Sequence, residues 1–130
     1  GNEVVRLVKP RTMMNRSGES VGKLLHYYKL IAAEYLLIIH DDKDLLLGKL
    51  REKVESGSGG HKGVSSIMNA LGSEVFHRLK FGVGHEDQKI PTDAFVLQKF
   101  SEEEEAKLPG LITTAVKKVQ DWLRKIPPMT

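Results

Sequence analysis

Apolar residues recur at helical spacing in three stretches of the chain, and each stretch is predicted to form an amphipathic helix. The first stretch spans 17–29, where Asn15 and Ser17 offer helix caps. The second spans 64–71, with Gly72 at the position of a C-terminal cap. The third lies near the C-terminus and is less regular.

Two opposing local signals precede this third helix. Ser101 and Glu104 form an S-x-x-E capping box, which is typical of the first turn of a helix. Pro109 and Gly110 then interrupt the pattern, because proline lacks the backbone N–H that a helix interior uses. The sequence therefore predicts a short turn after the capping box and a final helix from about 110 to 125.

Short apolar or alternating runs between the helices have the length of β-strands. These predicted strands are 4–8, 35–39, 48–54, 75–83 and a short edge strand at 94–97. The run at 35–39 is typical of a strand covered on both faces, and it is predicted to end at His40-Asp41-Asp42. The order of elements predicts an α/β fold, a single domain over residues 1–130 with a twisted mixed β-sheet flanked by helices.

Bulk composition excludes several classes of protein and leaves nucleic-acid binding open. The 130 residues contain no cysteine, which excludes a disulfide framework and a thiolate zinc site. No apolar run has the length of a membrane span, and residues 1–20 lack the apolar core of a signal peptide. The absence of cysteine also fits a reducing compartment, and we expect a soluble protein located in the cytoplasm or mitochondrion. A net charge of +3 permits binding to nucleic acid without requiring it.

The acidic cluster His40–Asp44 has three interpretations from its residues alone. It could bind a metal, orient a catalytic histidine, or end a strand in water, since hard cations prefer oxygen ligands. A twelve-residue calcium loop needs glycine at its sixth position and glutamate at its twelfth. Counted from Asp42, those positions hold Leu47 and Lys53. The calcium loop is excluded, and we expect neither a metal nor a cofactor.

The glycine-rich segment Gly57–Gly63 matches neither a phosphate-binding loop nor a dinucleotide fingerprint. Glycine allows a backbone to come close to a ligand because it has no Cβ atom. A plain flexible connection before a helix explains the same residues equally well. Both interpretations remain open at this point.

Five motifs taken together indicate a family. They are K-P-R-T-M-M-N-R-S-G-E-S-V at Lys9–Val21, H-D-D-K-D-L at His40–Leu45, G-S-G-G-H-K-G at Gly57–Gly63, R-L-K-F-G-V-G at Arg78–Gly84 and F-V-L-Q-K-F-S at Phe95–Ser101. In order and spacing they resemble the bacterial-type peptidyl-tRNA hydrolases, across essentially the whole chain. The resemblance implies an α/β enzyme that cleaves the ester between a peptide and its tRNA. It implies peptidyl-tRNA as the partner, and we expect a monomer with no membrane association.

The resemblance also implies roles for individual residues. Asp41 matches the aspartate that holds the ring of the family's catalytic histidine, and Asn15 matches the asparagine that positions the water or the scissile carbonyl. An amide can both donate and accept hydrogen bonds, which that position requires. The residues that would line the substrate site are Met14, Gly59, Gly60, His61 and Lys62.

Basic residues on two predicted strands are the candidates for contacts to tRNA phosphates. They are Lys49, Arg51, Lys53, Arg78 and Lys80. The alternation of the first three would place them on one face of a strand. Such contacts would give affinity and salt dependence rather than sequence readout.

The chain departs from the family pattern in two respects. The family's T-R-H-N-x-G loop, which carries the histidine base, has no match in these 130 residues, and Lys62 stands where the family has asparagine. The chain as given is therefore expected to lack the base. The alternative function is a non-catalytic RNA-binding relative, similar to the chloroplast splicing factor of this family.

Overall fold

The computed structural model describes residues 5–55, 57–84 and 100–126, and it confirms the predicted α/β fold class with a mixed three-stranded sheet. A 3-10 turn at Met14–Arg16 leads into the first helix. The helices are α1 (Ser17–Tyr28), α2 (Ala32–Tyr35), α3 (Lys62–Leu71) and α4 (Glu102–Lys125). The strands are β1 (Leu37–Leu46), β2 (Leu50–Glu55) and β3 (Val75–Gly84).

The described residues fall into two compact units. The first contains the residues up to Leu37 together with Val54–His77, and the second contains Ile38–Lys53 and the described part of Arg78–Ile126. The first unit therefore holds α1, α2 and α3, and the second holds most of the sheet and α4. The predicted single domain over 1–130 stays a prediction.

Close packing of α1 against α3 forms the core of the first unit. Gly18 makes this approach possible, because a Cβ atom there would overlap the carbonyl oxygen of Ser66 and lie 2.8 Å from the Ala70 Cβ. The Gly18 amide also donates to the Ser66 Oγ at 2.8 Å. Around this contact, Val21, Leu25, Val64 and Ile67 are buried. Burial of this apolar surface is the main source of stability in the unit.

Both predicted helices of this unit are confirmed. The stretch 17–29 is observed as α1, and 64–71 lies within α3. The predicted capping of α1 by Asn15 or Ser17 is wrong, because Arg16 is the N-cap residue and makes no side-chain capping bond. Gly72 ends α3 with φ of 66°, a left-handed conformation, and its amide donates to the Met68 carbonyl. This is the C-terminal cap that glycine favours because it carries no Cβ atom.

In the second unit the strand order is β1-β3-β2, so β3 is the central strand. The turn between β1 and β2 lies against the end of β3, where the Gly82 amide donates to the Lys49 carbonyl at 2.9 Å. The Leu47 amide donates in turn to the Gly84 carbonyl at 3.1 Å. A Cβ atom on Gly82 would overlap the carbonyl oxygen of Leu46. The turn can therefore lie here only because this position has no side chain.

The last helix starts as predicted and continues where a break is expected. The Ser101 Oγ accepts from the Glu104 amide at 3.1 Å, and the Glu104 carboxylate accepts from the Ser101 amide at 2.9 Å. The predicted interruption is wrong, because Pro109 lies inside one continuous helix, α4. A proline removes one backbone hydrogen bond, and the neighbouring turns maintain the helical path on both sides.

Two strand predictions also need correction. Residues 5–8 form no strand, and Leu7 is 90% exposed, so an apolar run without a hydrogen-bonded neighbour does not become part of a sheet. The strand predicted to end at 39 instead runs through His40–Asp44 to Leu46, because backbone pairing does not depend on side-chain polarity. The strands predicted at 48–54 and 75–83 are confirmed as β2 and β3. The edge strand predicted at 94–97 lies outside the described residues.

Candidate active site

Asn15 lies in the 3-10 turn at Met14–Arg16, immediately before α1. The Arg16 amide donates to the Met13 carbonyl at 2.8 Å, and the Ser17 Oγ donates to the Met14 carbonyl, also at 2.8 Å. These two bonds fix the backbone on either side of Asn15. Asn15 is exposed to solvent. The turn therefore presents an amide, which can donate and accept, on a constrained backbone.

The glycine loop contains two residues whose backbone conformation favours glycine and whose missing side chains would be uncrowded. Gly59 and Gly60 have φ of 60° and 82°, values that residues with a Cβ atom rarely adopt. A Cβ atom at either position would meet nothing within 4 Å. Glycine is thus needed here for backbone conformation, and no described neighbour would crowd a side chain at either position. The loop ends where the His61 amide donates to the Ser58 carbonyl at 3.1 Å.

His61 is the N-terminal cap of α3. Its Nδ1 accepts a hydrogen bond from the Val64 amide at 3.2 Å, a capping role usually filled by serine, threonine, aspartate or asparagine. Because Nδ1 acts as an acceptor, the neutral ring carries its proton on Nε2. In this conformation the neutral imidazole holds no lone pair at Nε2, so it cannot act there as a general base.

Met14 and His61 come together over Gly63. A Cβ atom on Gly63 would lie 2.6 Å from the Met14 Sδ and 3.0 Å from the His61 Cε1. The packing of α1 on α3 brings the start of one helix to the start of the other. Met14 itself is 59% exposed, so its thioether forms an apolar wall at the surface beside the glycine loop. Two residues that are 47 positions apart in the sequence, Met14 and His61, therefore meet at one place.

The remaining substrate-site candidate of this unit is Lys62, the first residue of α3. Its side chain is exposed, and the first turn of α3 has no acidic residue. A cation at a helix N-terminus meets the positive end of the helix dipole, which is mildly unfavourable. The asparagine of the family pattern would not bring this charge to the same position.

Asp41 belongs to the second unit and lies within β1, where it is half-buried. The ring Nδ1 of His40 donates to the Asp41 carbonyl at 2.8 Å. On the other side, the Asp44 amide donates to the Asp42 Oδ1 at 2.8 Å. The neighbours of Asp41 therefore use their polar side chains to hold the strand's own backbone.

The five basic candidates differ in how accessible they are. Lys49, Arg51 and Lys53 are exposed at the turn and along β2. Arg78 is 1% exposed, and this burial argues against a direct contact with phosphate. The Lys80 Nζ lies 3.9 Å from the Asp42 Oδ2, so its charge already has a partner.

Comparison with known proteins identifies the family. The profile of the peptidyl-tRNA hydrolase family matches residues 1–129. The chain belongs to the peptidyl-tRNA hydrolase family. A peptidyl-tRNA hydrolase from Lactiplantibacillus plantarum is 46% identical over 121 residues, which are 93% of this chain and 64% of that protein. A chloroplastic peptidyl-tRNA hydrolase from Arabidopsis thaliana is 41% identical, over 92% of this chain and 42% of its own length.

Solved structures of the family share the fold. A single-residue variant of peptidyl-tRNA hydrolase from Acinetobacter baumannii superposes with a TM-score of 0.77 at 39% identity. That match covers 88% of this chain and 58% of the solved chain. The chain thus spans somewhat less than two thirds of the length of the relatives it matches.

Metal-binding clusters and membrane-spanning helices are both missing from the described part of the chain. Among residues 5–55, 57–84 and 100–126, no group of three or more His, Cys, Asp or Glu side chains is arranged to hold a metal ion. Within the same residues, no helix combines the length and apolarity needed to cross a membrane.

Two residues that shape the surroundings of the candidate site residues, one in each unit, are not evident from the sequence motifs. Gly63 is needed because Met14 and His61 occupy the space of its missing side chain. Asp42 contacts both a backbone amide and Lys80. The spacing G-G-H-x-G could have drawn attention to Gly63. The role of Asp42 depends on its contact with the neighbouring strand β3, which the sequence does not reveal.

Proposed function

We propose that this protein hydrolyses the ester bond between peptide and tRNA in peptidyl-tRNA, and so recycles tRNA from abandoned translation. The observation that carries the proposal is the set of five family motifs in family order. Its support from geometry is the convergence of Met14 and His61 over Gly63, at the open glycine loop. The relatives named as peptidyl-tRNA hydrolases give the same indication.

Ester hydrolysis needs an activated water and donors for the developing oxyanion. In the proposed mechanism the Asn15 amide orients the water or the carbonyl. Asp41 orients a histidine base and stabilises the imidazolium that forms, as the acid of a serine-protease triad does. His61 is an unsuitable base because its Nδ1 is the cap of α3. Gly59, Gly60 and Lys62 border the path of the peptide and the tRNA end.

The tRNA body is proposed to contact Lys49, Arg51 and Lys53. Their side chains are exposed, and each exposed cation can release a counterion from phosphate on binding. Arg78 is left out because it is buried. A monomer acting in the cytoplasm or mitochondrion remains part of the proposal.

The first test is the Asp41→Asn substitution, made in whichever protein hydrolyses peptidyl-tRNA, either the 130-residue chain or the chimera described in the second test. Loss of the charge removes the stabilisation of imidazolium, and the triad analogue suggests a fall in kcat of about 10⁴-fold. Affinity for tRNA should stay close to that of the wild type. Asp44→Asn is the matched control, since Asp44 is exposed and its backbone amide, which bonds Asp42, is kept. A kcat within about tenfold of the wild type, roughly 1.4 kcal/mol of barrier, would exclude the role.

The second test asks whether the 130 residues suffice. The chain and a chimera preceded by the N-terminal segment of the Lactiplantibacillus plantarum relative are incubated with peptidyl-tRNA, and release of deacylated tRNA is measured. Release by the chimera alone supports the proposal and assigns the base to that segment. Binding of tRNA without release in either protein would favour the non-catalytic RNA-binding alternative.

A further inference from the structure

A cross-strand ion pair joins β1 to β3 beside Asp41. The Asp42 Oδ2 lies 3.9 Å from the Lys80 Nζ, and the two side chains are only 18% and 15% exposed. The strands are neighbours in the sheet. Water screens such a half-buried pair less than a surface pair, so each partner depends more strongly on the other. Removal of one partner would leave a partly desolvated charge.

Asp42 uses both carboxylate oxygens. While Oδ2 faces Lys80, Oδ1 accepts from the Asp44 amide at 2.8 Å. Successive side chains of a strand point to opposite faces, so Asp42 and Asp41 project from opposite faces of β1. Asp42 can therefore influence Asp41 through the strand backbone and not by touching the reacting atoms.

We propose that Asp42 and Lys80 form a positioning pair that fixes the β1 backbone carrying Asp41. Lys80 then serves this pair and is not a phosphate contact. The inference rests on the proposed function for its catalytic consequence, because it assigns Asp41 the role of orienting the base. Its structural part, the fixing of β1 by β3, can be measured without any activity.

Competition for Lys80 supports this assignment over the phosphate role. A phosphate contact would require the ammonium group to leave Asp42, whose carboxylate would then lose its partner. The exposed Arg51 and Lys53 need no such rearrangement to meet phosphate.

The test compares Lys80→Met and Asp42→Asn with the control Lys43→Met, which removes an exposed charge from β1. Turnover is measured on a minimal ester that lacks the tRNA body. The substitutions are made in the protein that proves active in the second test, either the 130-residue chain or the chimera. Both pair variants should lower kcat by about 10- to 100-fold with little change in KM, because small misplacements of a positioned group have effects of this size. Lys80→Arg should restore most of the rate, since the charge is kept. The double variant should be no slower than either single one.

Binding gives a second readout that separates the two roles of Lys80. The salt dependence of tRNA binding in Lys80→Met should equal that of the wild type, whereas in Arg51→Met the log–log slope should fall by about 0.7–0.9. A flattened slope in Lys80→Met together with unchanged turnover of the minimal ester would make Lys80 a phosphate contact and overturn the inference. Unchanged turnover and unchanged slope would also overturn it.

Amide hydrogen exchange keeps the inference testable if the wild type has no esterase activity. A wild type without esterase activity would contradict the proposed function but not the claim that the Asp42–Lys80 pair fixes β1 against β3. In the 130-residue chain, both pair variants must then exchange the β1 amides around Asp41 faster than Lys43→Met does. Equal exchange in all three proteins would overturn the positioning role.

Discussion

His61 combines two functions in one side chain. The ring caps α3 through Nδ1, and the same ring borders the Met14 thioether at the glycine loop. An imidazole is an unusual cap, since short oxygen-bearing side chains fill this position more often. The cap fixes which ring nitrogen carries the proton, so helix geometry and site chemistry are coupled at this residue.

We expect His61→Ala to lower the free energy of unfolding by about 1 kcal/mol, because the Val64 amide loses its acceptor. His61→Asn is the matched variant, since asparagine is among the best N-terminal caps. It should keep most of the stability while it removes the imidazole. Urea denaturation of the three proteins measures the difference. Equal losses in both variants would show that the cap contributes nothing.

At the scale of elements, the approach of α1 to α3 depends on Gly18. The contact that a Cβ atom would make is with the backbone of Ser66, which cannot rotate away as a side-chain end could. The same approach sets the distance between Met14 and the glycine loop. Stability of the first unit and assembly of the site thus depend on the same contact.

We therefore expect Gly18→Ala to destabilise the protein by about 1–3 kcal/mol or more, as overpacking does. Gly22→Ala is the control on the same helix, because its Cβ atom would meet only the Ala70 Cβ at an ordinary 3.8 Å. Alanine should there be neutral or stabilising, since it favours the helix over glycine. Thermal unfolding compares the two variants. A Gly18→Ala protein as stable as Gly22→Ala would contradict the close packing.

The helix α4 contains a proline in its interior. Pro109 lacks an N–H for the Glu105 carbonyl and crowds it with its ring. The helix nevertheless continues past Pro109, and the Pro109 carbonyl accepts from the Thr113 Oγ1 at 2.9 Å, a bond between residues one helical turn apart. The capping box and the acidic first turn support the preceding segment.

Pro109→Ala is expected to raise the free energy of unfolding by about 1–3 kcal/mol, because it restores the hydrogen bond and the helix propensity. A part of this gain, about 0.4–1 kcal/mol, is offset because the unfolded chain becomes freer. Pro109→Gly restores the same N–H and should gain about 1 kcal/mol less. Chemical denaturation with circular dichroism detection measures both. Stability of the alanine variant at or below the wild-type value would show that the proline is accommodated without cost.

At the scale of the whole molecule, the charge pattern matters more than the net charge of +3. Exposed basic residues alternate with Leu50 and Glu52 along β2, and Glu52 lies 3.7 Å from the Lys118 Nζ. Acidic residues instead gather in the first turn of α4. Such a distribution can orient a polyanion even when the net charge is small.

We expect the triple replacement of Lys49, Arg51 and Lys53 by alanine to weaken binding to any tRNA body alike. The slope of log affinity against log salt should fall by about 0.7–0.9 for each phosphate that is no longer bound. A triple alanine variant at Lys107, Lys117 and Lys125, all exposed on α4, removes the same charge and is the control. Unchanged slope in the first variant and a reduced slope in the second would move the tRNA surface to α4.

The sequence by itself determined the features whose cause is local. The helices α1 and α3, the Gly72 cap and the Ser101–Glu104 capping box follow from interactions within one or two turns, so periodicity and residue type predict them. The ordered motifs likewise indicated the family, which the comparisons confirm.

Only the tertiary structure decided the features that depend on a distant partner. A strand exists where a neighbour accepts its hydrogen bonds, so β1 continues through polar residues while the apolar run at 5–8 forms no strand. Accessibility likewise depends on what covers a side chain. On β3, Arg78 is buried and Lys80 is paired with Asp42, whereas the basic residues of β2 are exposed. The meeting of Met14 with His61 depends on two helices packing without a side chain at Gly18. These contacts join residues far apart in the chain, and single-residue patterns carry no information about which distant residues meet.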